Sequence, residues 1–135
     1  DGSVIAQLGF PSMALPILYA LTHPGRLPDT GVRRLDPVAA GPFTFEPVRR
    51  DVFRALDAGM AAGRAAGTAP AVFNAANEVA VAAFLEGSIP FGRISEIIER
   101  VLEVHTPGPA AAVEAVRDAD HWARGRASEH VRTPC

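Results

Sequence analysis

The sequence predicts a mainly α protein: an antiparallel helical bundle, preceded by a linker and a single strand. Three observations predict it. Thr68 to Gly87 runs as TAPAVFNAANEVAVAAFLEG, apolar on nearly every side and without a breaker until Gly87. Ile94, Ile97, Ile98, Val101 and Leu102 recur at i, i+3, i+4, i+7 and i+8, one clean helical stripe. The connections between these segments are short, as in bundles whose neighbouring helices run antiparallel.

At the start of the chain, DGSVIAQL sets Val4, Ala6 and Leu8 on one side and Ile5 and Gln7 on the other. That alternation after an Asp-Gly turn predicts a strand from Asp1 to Leu8, the second arm of a hairpin. Gly9-Phe10-Pro11 breaks it. Ser12 is placed to cap a short helix through Met13, Leu15, Leu18 and Leu21, with Pro16 in its first turn. His23 to Pro47 is rich in Pro, Gly and Arg, and a stretch of that kind belongs between domains. Phe43-Thr44-Phe45 within it predicts a short strand. The segments are therefore expected at 1–22, 23–50 and 51–135, the last being the bundle.

Asp51 suits an N-cap, and Phe53, Leu56 and Met60 follow at helical spacing until the AAGRAAG run. In the central helix Thr68 is the expected cap, Pro70 sits harmlessly in the first turn and Gly87 stops the helix. A helix so apolar all round belongs in the middle of the bundle, and Asn74, Asn77 and Glu78 then need partners inside the protein. Glu96 and Arg100 lie one turn apart on the wet face of the next helix. A last helical region carries Val113, Val116, Trp122, Ala123 and Ala127, with a break expected near Asp118.

Composition excludes several functions. The net charge is −2, which leaves no electrostatic footprint for nucleic acid. All 13 basic residues are arginine, so no Schiff-base or phosphate-cradling lysine exists in this sequence. The one cysteine, Cys135, permits no internal disulfide and suits a reducing cytoplasm. No apolar run is long enough for a membrane helix. The histidines are scattered, none at ligand spacing, so no metal ligands are assigned. Gly59, Gly63 and Gly67 are not preceded by a strand and read as packing positions, not a dinucleotide fingerprint. No catalytic triad can be drawn. The segment with the shape of a site is Gly9 to Met13, a turn between a strand end and a helix.

These residues resemble a known family. DGSVIAQLGFPSMALPILYAL, the Pro-rich crossing with Arg34-Leu35-Asp36, and PAVFNAANEVAVAAFLEGSIPF, in that order, are similar to the C-terminal part of the 1-deoxy-D-xylulose 5-phosphate reductoisomerases. Trp122-Ala123-Arg124 also looks like the last helix of that family. The resemblance implies that residues 1–22 are the end of an α/β catalytic domain, 23–50 a linker, and 51–135 the C-terminal bundle of a homodimeric bacterial cytoplasmic enzyme. It implies an enzyme that uses NADPH and Mg²⁺ or Mn²⁺ to convert a phosphorylated sugar, 1-deoxy-D-xylulose 5-phosphate, into 2-C-methyl-D-erythritol 4-phosphate in non-mevalonate isoprenoid synthesis. By the resemblance Pro11 and Met13 lie beside the nicotinamide ring. Ser12 and Pro37 depart from the Asp and the aromatic residue usual there. Catalytic and metal-binding residues are expected upstream of Asp1, making this sequence a fragment inactive by itself. Asn74, Asn77 and Glu78 are expected to be structural, with Asn77 and Glu78 tying the bundle to the catalytic domain. The competing expectation is a non-catalytic helical interaction module whose strand docks on a partner sheet.

Overall fold

The computed structural model describes residues 2–28 and 31–133. Asp1, where the expected strand begins, and the lone thiol Cys135 lie outside the described residues. The chain divides into two compact units, Asp1–Glu46 and Pro47–Cys135.

The second unit is the helical bundle. Counting helices from the start of the chain, it holds α3 (Arg54–Ala65), α4 (Ala69–Leu85), α5 (Gly92–Glu103) and α6 (Val113–Arg132). Helix α4 is central, as its composition requires, and packs against each of the other three. Val72, Ala75, Ala76, Ala80 and Ala83 of α4 meet Ile97, Ile98 and Val101 of α5 and Ala123 and Ala127 of α6 in one core. The alanines allow close helix approach, and the isoleucines supply the apolar area whose burial drives folding at about 25 cal/mol per Å². Ile94 and Leu102 pack at the margin of that core, completing the expected stripe.

Helix ends follow local rules. Gly87 takes φ +76°, the Ser88 N–H donates to Ala83 O at 2.9 Å and the Gly87 N–H to Phe84 O at 2.9 Å. This pair of bonds is the Schellman stop, which needs the left-handed residue that glycine supplies. The glycine trio resolves into separate packing roles. A Cβ on Gly59 would lie 3.2 Å from the Phe73 ring, whereas one on Gly63 would meet nothing within 4 Å. Gly67 has φ +54°, and a Cβ there would fall 2.2 Å from Gly108 O.

Several expectations are corrected. Helix α3 begins at Arg54, two residues later than an Asp51 cap implies, and its cap position, Phe53, makes no side-chain capping bond. Leu56 and Met60 stay 42% and 37% exposed, so α3 buries chiefly the opposite face, through Ala62. Helix α6 runs through Asp118 without a break over its 20 residues.

The first unit is looser. It carries α1 (Ala14–Thr22) and the single turn α2 (Pro37–Ala40), capped by the Asp36 carboxylate on the Val38 and Ala39 N–H groups. The strand expected to Leu8 is not formed: residues 2–10 adopt neither helix nor strand, and Val4 and Ile5 are each 94% exposed. Phe43-Thr44-Phe45 likewise forms no strand. Alternation prepares a segment for a sheet, but the ladder requires a second strand beside it, and none occurs among the described residues. Helix α1 forms as expected yet buries none of its residues.

Candidate functional site

The loop from Gly9 to Met13 opens α1. Ser12 does act at the helix start, its Oγ accepting the Ala14 N–H at 3.2 Å. Pro16 then falls inside the first turn, where the missing N–H has no helical partner to lose. Pro11 and Ser12 line an open cleft of about 440 Å³ with Gln7, Gly9, Phe10, Leu15, Pro16, Tyr19 and Arg26. Arg26 is carried over the Tyr19 ring, 4.4 Å from its centre. Met13 is 70% exposed at the N-terminal boundary of α1 but is not part of the cleft wall. The structure thus keeps Pro11 and Met13 on one exposed loop without bringing both into one cavity. An exposed proline ring and a polarizable thioether suit one face of a flat heteroaromatic ring. They supply nothing for the phosphates of a dinucleotide.

A second cleft of about 410 Å³ shares Gly9, Phe10 and Leu15 with the first. Leu8, Leu18, Val32, Arg33 and Leu35 are also among its walls. The Arg33 guanidinium lies over the Phe10 ring at 3.8 Å. Phe10 therefore lines both clefts.

The polar residues of α4 behave differently from their expectation. Asn74 and Glu78 are exposed and Asn77 is half-buried. Asn74 Nδ2 donates to Glu78 Oε1 at 2.8 Å, and Arg124 of α6 donates to Glu78 Oε2 at 2.5 Å and to Asp120 Oδ2 at 2.8 Å. Arg124, first, and then Asn74 hold the Glu78 carboxyl below its ordinary range. The same two carboxylates push the Arg124 guanidinium still further up. Asn74 and Glu78 are thus partnered within the bundle, at its surface.

Two polar centres were not anticipated from the sequence. Thr68, read there as a helix cap, is 5% exposed and makes no capping bond. Its N–H donates to Gly108 O, its Oγ1 accepts the Gly108 N–H, and the same oxygen lies against His105 Nε2, each at 3.0 Å. The His105 ring rests 5.2 Å from Trp122, and its burial lowers the imidazole pKa. The second centre is Arg93, 9% exposed, which donates to the carbonyls of His130 in α6 at 2.9 Å and of Thr133, just past its end, at 3.2 Å and pairs with Glu96 at 2.9 Å. An arginine opening the apolar stripe of α5 beside a glycine was the one available signal. Among the described residues, no three His, Cys, Asp or Glu side chains are grouped so as to hold a metal ion. The described residues therefore do not fit a metal centre. No described helix is long and apolar enough to cross a membrane.

These features define a class: a helical bundle domain joined to a short segment with an exposed apolar loop and helix. A family model described as the DXP reductoisomerase C-terminal domain matches residues 8–126, and the chain belongs to that family. The 1-deoxy-D-xylulose 5-phosphate reductoisomerase of Citrifermentans bemidjiense is 49% identical over 135 residues, all of this chain and 35% of its own length. The chain thus spans about a third of that relative. Among solved structures, the reductoisomerase of Zymomonas mobilis in complex with NADPH is 38% identical with a TM-score of 0.73, across 99% of this chain and 35% of its own. A DOX-P reductoisomerase in complex with NADPH, fosmidomycin and magnesium is 30% identical with a TM-score of 0.65, across 98% of this chain and 34% of its own.

Proposed function

We propose that residues 1–135 act as the C-terminal portion of an NADPH-dependent 1-deoxy-D-xylulose 5-phosphate reductoisomerase, which forms 2-C-methyl-D-erythritol 4-phosphate in non-mevalonate isoprenoid synthesis. The observation that carries this reading is continuous similarity over the full 135 residues at 49% identity. In this reading residues 1–22 complete the catalytic domain, 23–50 link it onward and 51–135 form the bundle. The exposed apolar surface of α1 is covered by the rest of the polypeptide. The enzyme works as a homodimer in the bacterial cytoplasm.

NADPH supplies the hydride for the reduction. Pro11 and Met13 border its nicotinamide, excluding water from one face without offering a competing charge. The divalent ion, Mg²⁺ or Mn²⁺, belongs to residues ahead of this segment. Asn77, half-buried beside the Asn74–Glu78–Arg124 network, steadies the bundle against the catalytic domain together with Glu78.

The test is substrate-dependent NADPH oxidation by the full-length protein and by the 135-residue chain. Turnover that requires a divalent ion is expected from the first and none from the second. A full-length protein without turnover, or a 135-residue chain with it, would overturn the reading.

A further inference from the structure

We propose that Arg33 is a positioning residue for NADPH, acting through Phe10. The inference rests on the reading that Pro11 and Met13 border the nicotinamide. Residues 9–13 belong to no helix or strand. At the helix side the loop is tied by Ser12 Oγ on the Ala14 N–H at 3.2 Å and by Met13 O accepting the Ile17 N–H at 3.1 Å. Pro11 has no N–H to give. On the other side the restraint comes from Phe10, the residue before Pro11, whose ring lies 3.8 Å from the Arg33 guanidinium carbon.

Arginine is suited to that contact. Its guanidinium is planar and weakly hydrated, and it is attracted to the negative face of an aromatic ring. Val32, Arg33 and Leu35 share a cleft with Leu8, Gly9 and Phe10, so the stretch after α1 doubles back to brace the loop before it. Phe10 is then a wall of the Pro11 cleft whose ring is held by Arg33. Loosening the wall lets Pro11 move and costs order on NADPH binding. Neither the sugar phosphate nor the fold of the bundle depends on this contact.

The test uses the full-length enzyme. Arg33→Ala, Arg33→Lys, Phe10→Leu and the Arg33→Ala/Phe10→Leu pair are titrated with NADPH alone, by ligand fluorescence, and then assayed at steady state. Arg33→Ala is expected to raise the NADPH Kd and KM about two- to five-fold, the size of an exposed cation–π contact, with the sugar-phosphate KM and the Tm unchanged. Arg33→Lys restores part of the loss. In the Phe10→Leu background, which keeps the apolar bulk but removes the ring face, Arg33→Ala adds nothing further. Unchanged NADPH affinity, additive losses, or equal shifts in both KM values would overturn the proposal. Pro11→Ala and Met13→Ala separate the two levels. If they weaken NADPH binding and Arg33→Ala does not, only the positioning role fails. If they leave binding untouched, the reading of the loop fails and the role of Arg33 with it.

Discussion

Helices α1 and α5 make the instructive comparison. Helix α1, ALPILYALT, is almost wholly apolar and buries none of its residues. Helix α5, GRISEIIERVLE, is half charged or polar and fully buries Ile97, Ile98 and Val101. The amount of apolar surface on a helix does not determine whether it is buried. What determines it is whether a complementary face lies within reach. Helix α5 has the alanine-lined side of α4 to close on, whereas Ile17 and Leu21 of α1 remain 52% and 80% exposed.

The largest expected effect follows from that contrast. In the isolated 135-residue chain, amides from Val79 to Phe84 should exchange with solvent slower by orders of magnitude than those from Val4 to Leu8, because only the former open through unfolding of a core. In the full-length protein proposed above the Val4 to Leu8 amides should gain protection. Equal protection of both stretches in a monomer of the short chain would erase the distinction between the units.

The same comparison separates what the sequence could reveal from what it could not. The i, i+3, i+4 stripe of α5, the Gly87 stop and the central place of α4 were legible because each depends on spacing or on one residue's own backbone freedom. The Glu96–Arg100 pair, 2.6 Å in the structure, was legible for the same reason. The expected strand is not formed by residues 2–10 because alternation records only half of a pairing. Phe53, Leu56 and Met60 had the spacing of a buried stripe, but spacing does not say which neighbour is present. In the candidate site, Pro11 and Met13 entered through a family resemblance, and the bracing of Phe10 by Arg33 spans 23 positions with α1 between them, beyond any local pattern. Thr68 was identified as a polar residue at a helix start, but its partner Gly108 is 40 residues away.

The second unit should break at its tightest backbone contact. Gly67→Ala forces a Cβ to 2.2 Å from Gly108 O at a φ of +54°, and is expected to cost the bundle about 2–4 kcal/mol in urea unfolding. Gly63→Ala is the matched control. It lies in the interior of α3 with open space around it, and should stabilise by about 0.5–1 kcal/mol. If both substitutions had the same sign, the contact between the α3–α4 turn and the α5–α6 loop would not be a structural constraint.

Arg93→Ala should follow in size. It strips the His130 and Thr133 carbonyls of a buried cationic donor, a loss of about 1.5–3 kcal/mol for hydrogen bonds to a charged group. Arg93→Lys should recover only part, since an ammonium lacks the fork that serves two carbonyls and Glu96 together. Thermal unfolding followed by circular dichroism measures both, with fraying of the end of α6 as the local sign.

The smallest effect is a pH dependence that belongs to the second unit and has two stages. Burial lowers the His105 pKa from its ordinary 6.5, so the unfolded chain takes up a proton before the folded one does. Stability therefore falls as pH drops through about 6.5 and levels off once pH passes below the folded-state value, where both states are protonated. The carboxyls act lower down. Arg93 first lowers the Glu96 pKa, and Arg124 first lowers that of Glu78, each from 4.5. Their contributions are complete above that value and are lost as pH falls through the folded pKa values. Unfolding measured from pH 7.5 to 3 should thus show a shallow loss and then a second one. His105→Gln should flatten the first stage and leave the second intact, since its amide does not titrate and can still bond Thr68 Oγ1. A first stage that survives His105→Gln would mean that the proton is taken up elsewhere and that the contact among Thr68, His105 and Trp122 does not couple the bundle to pH.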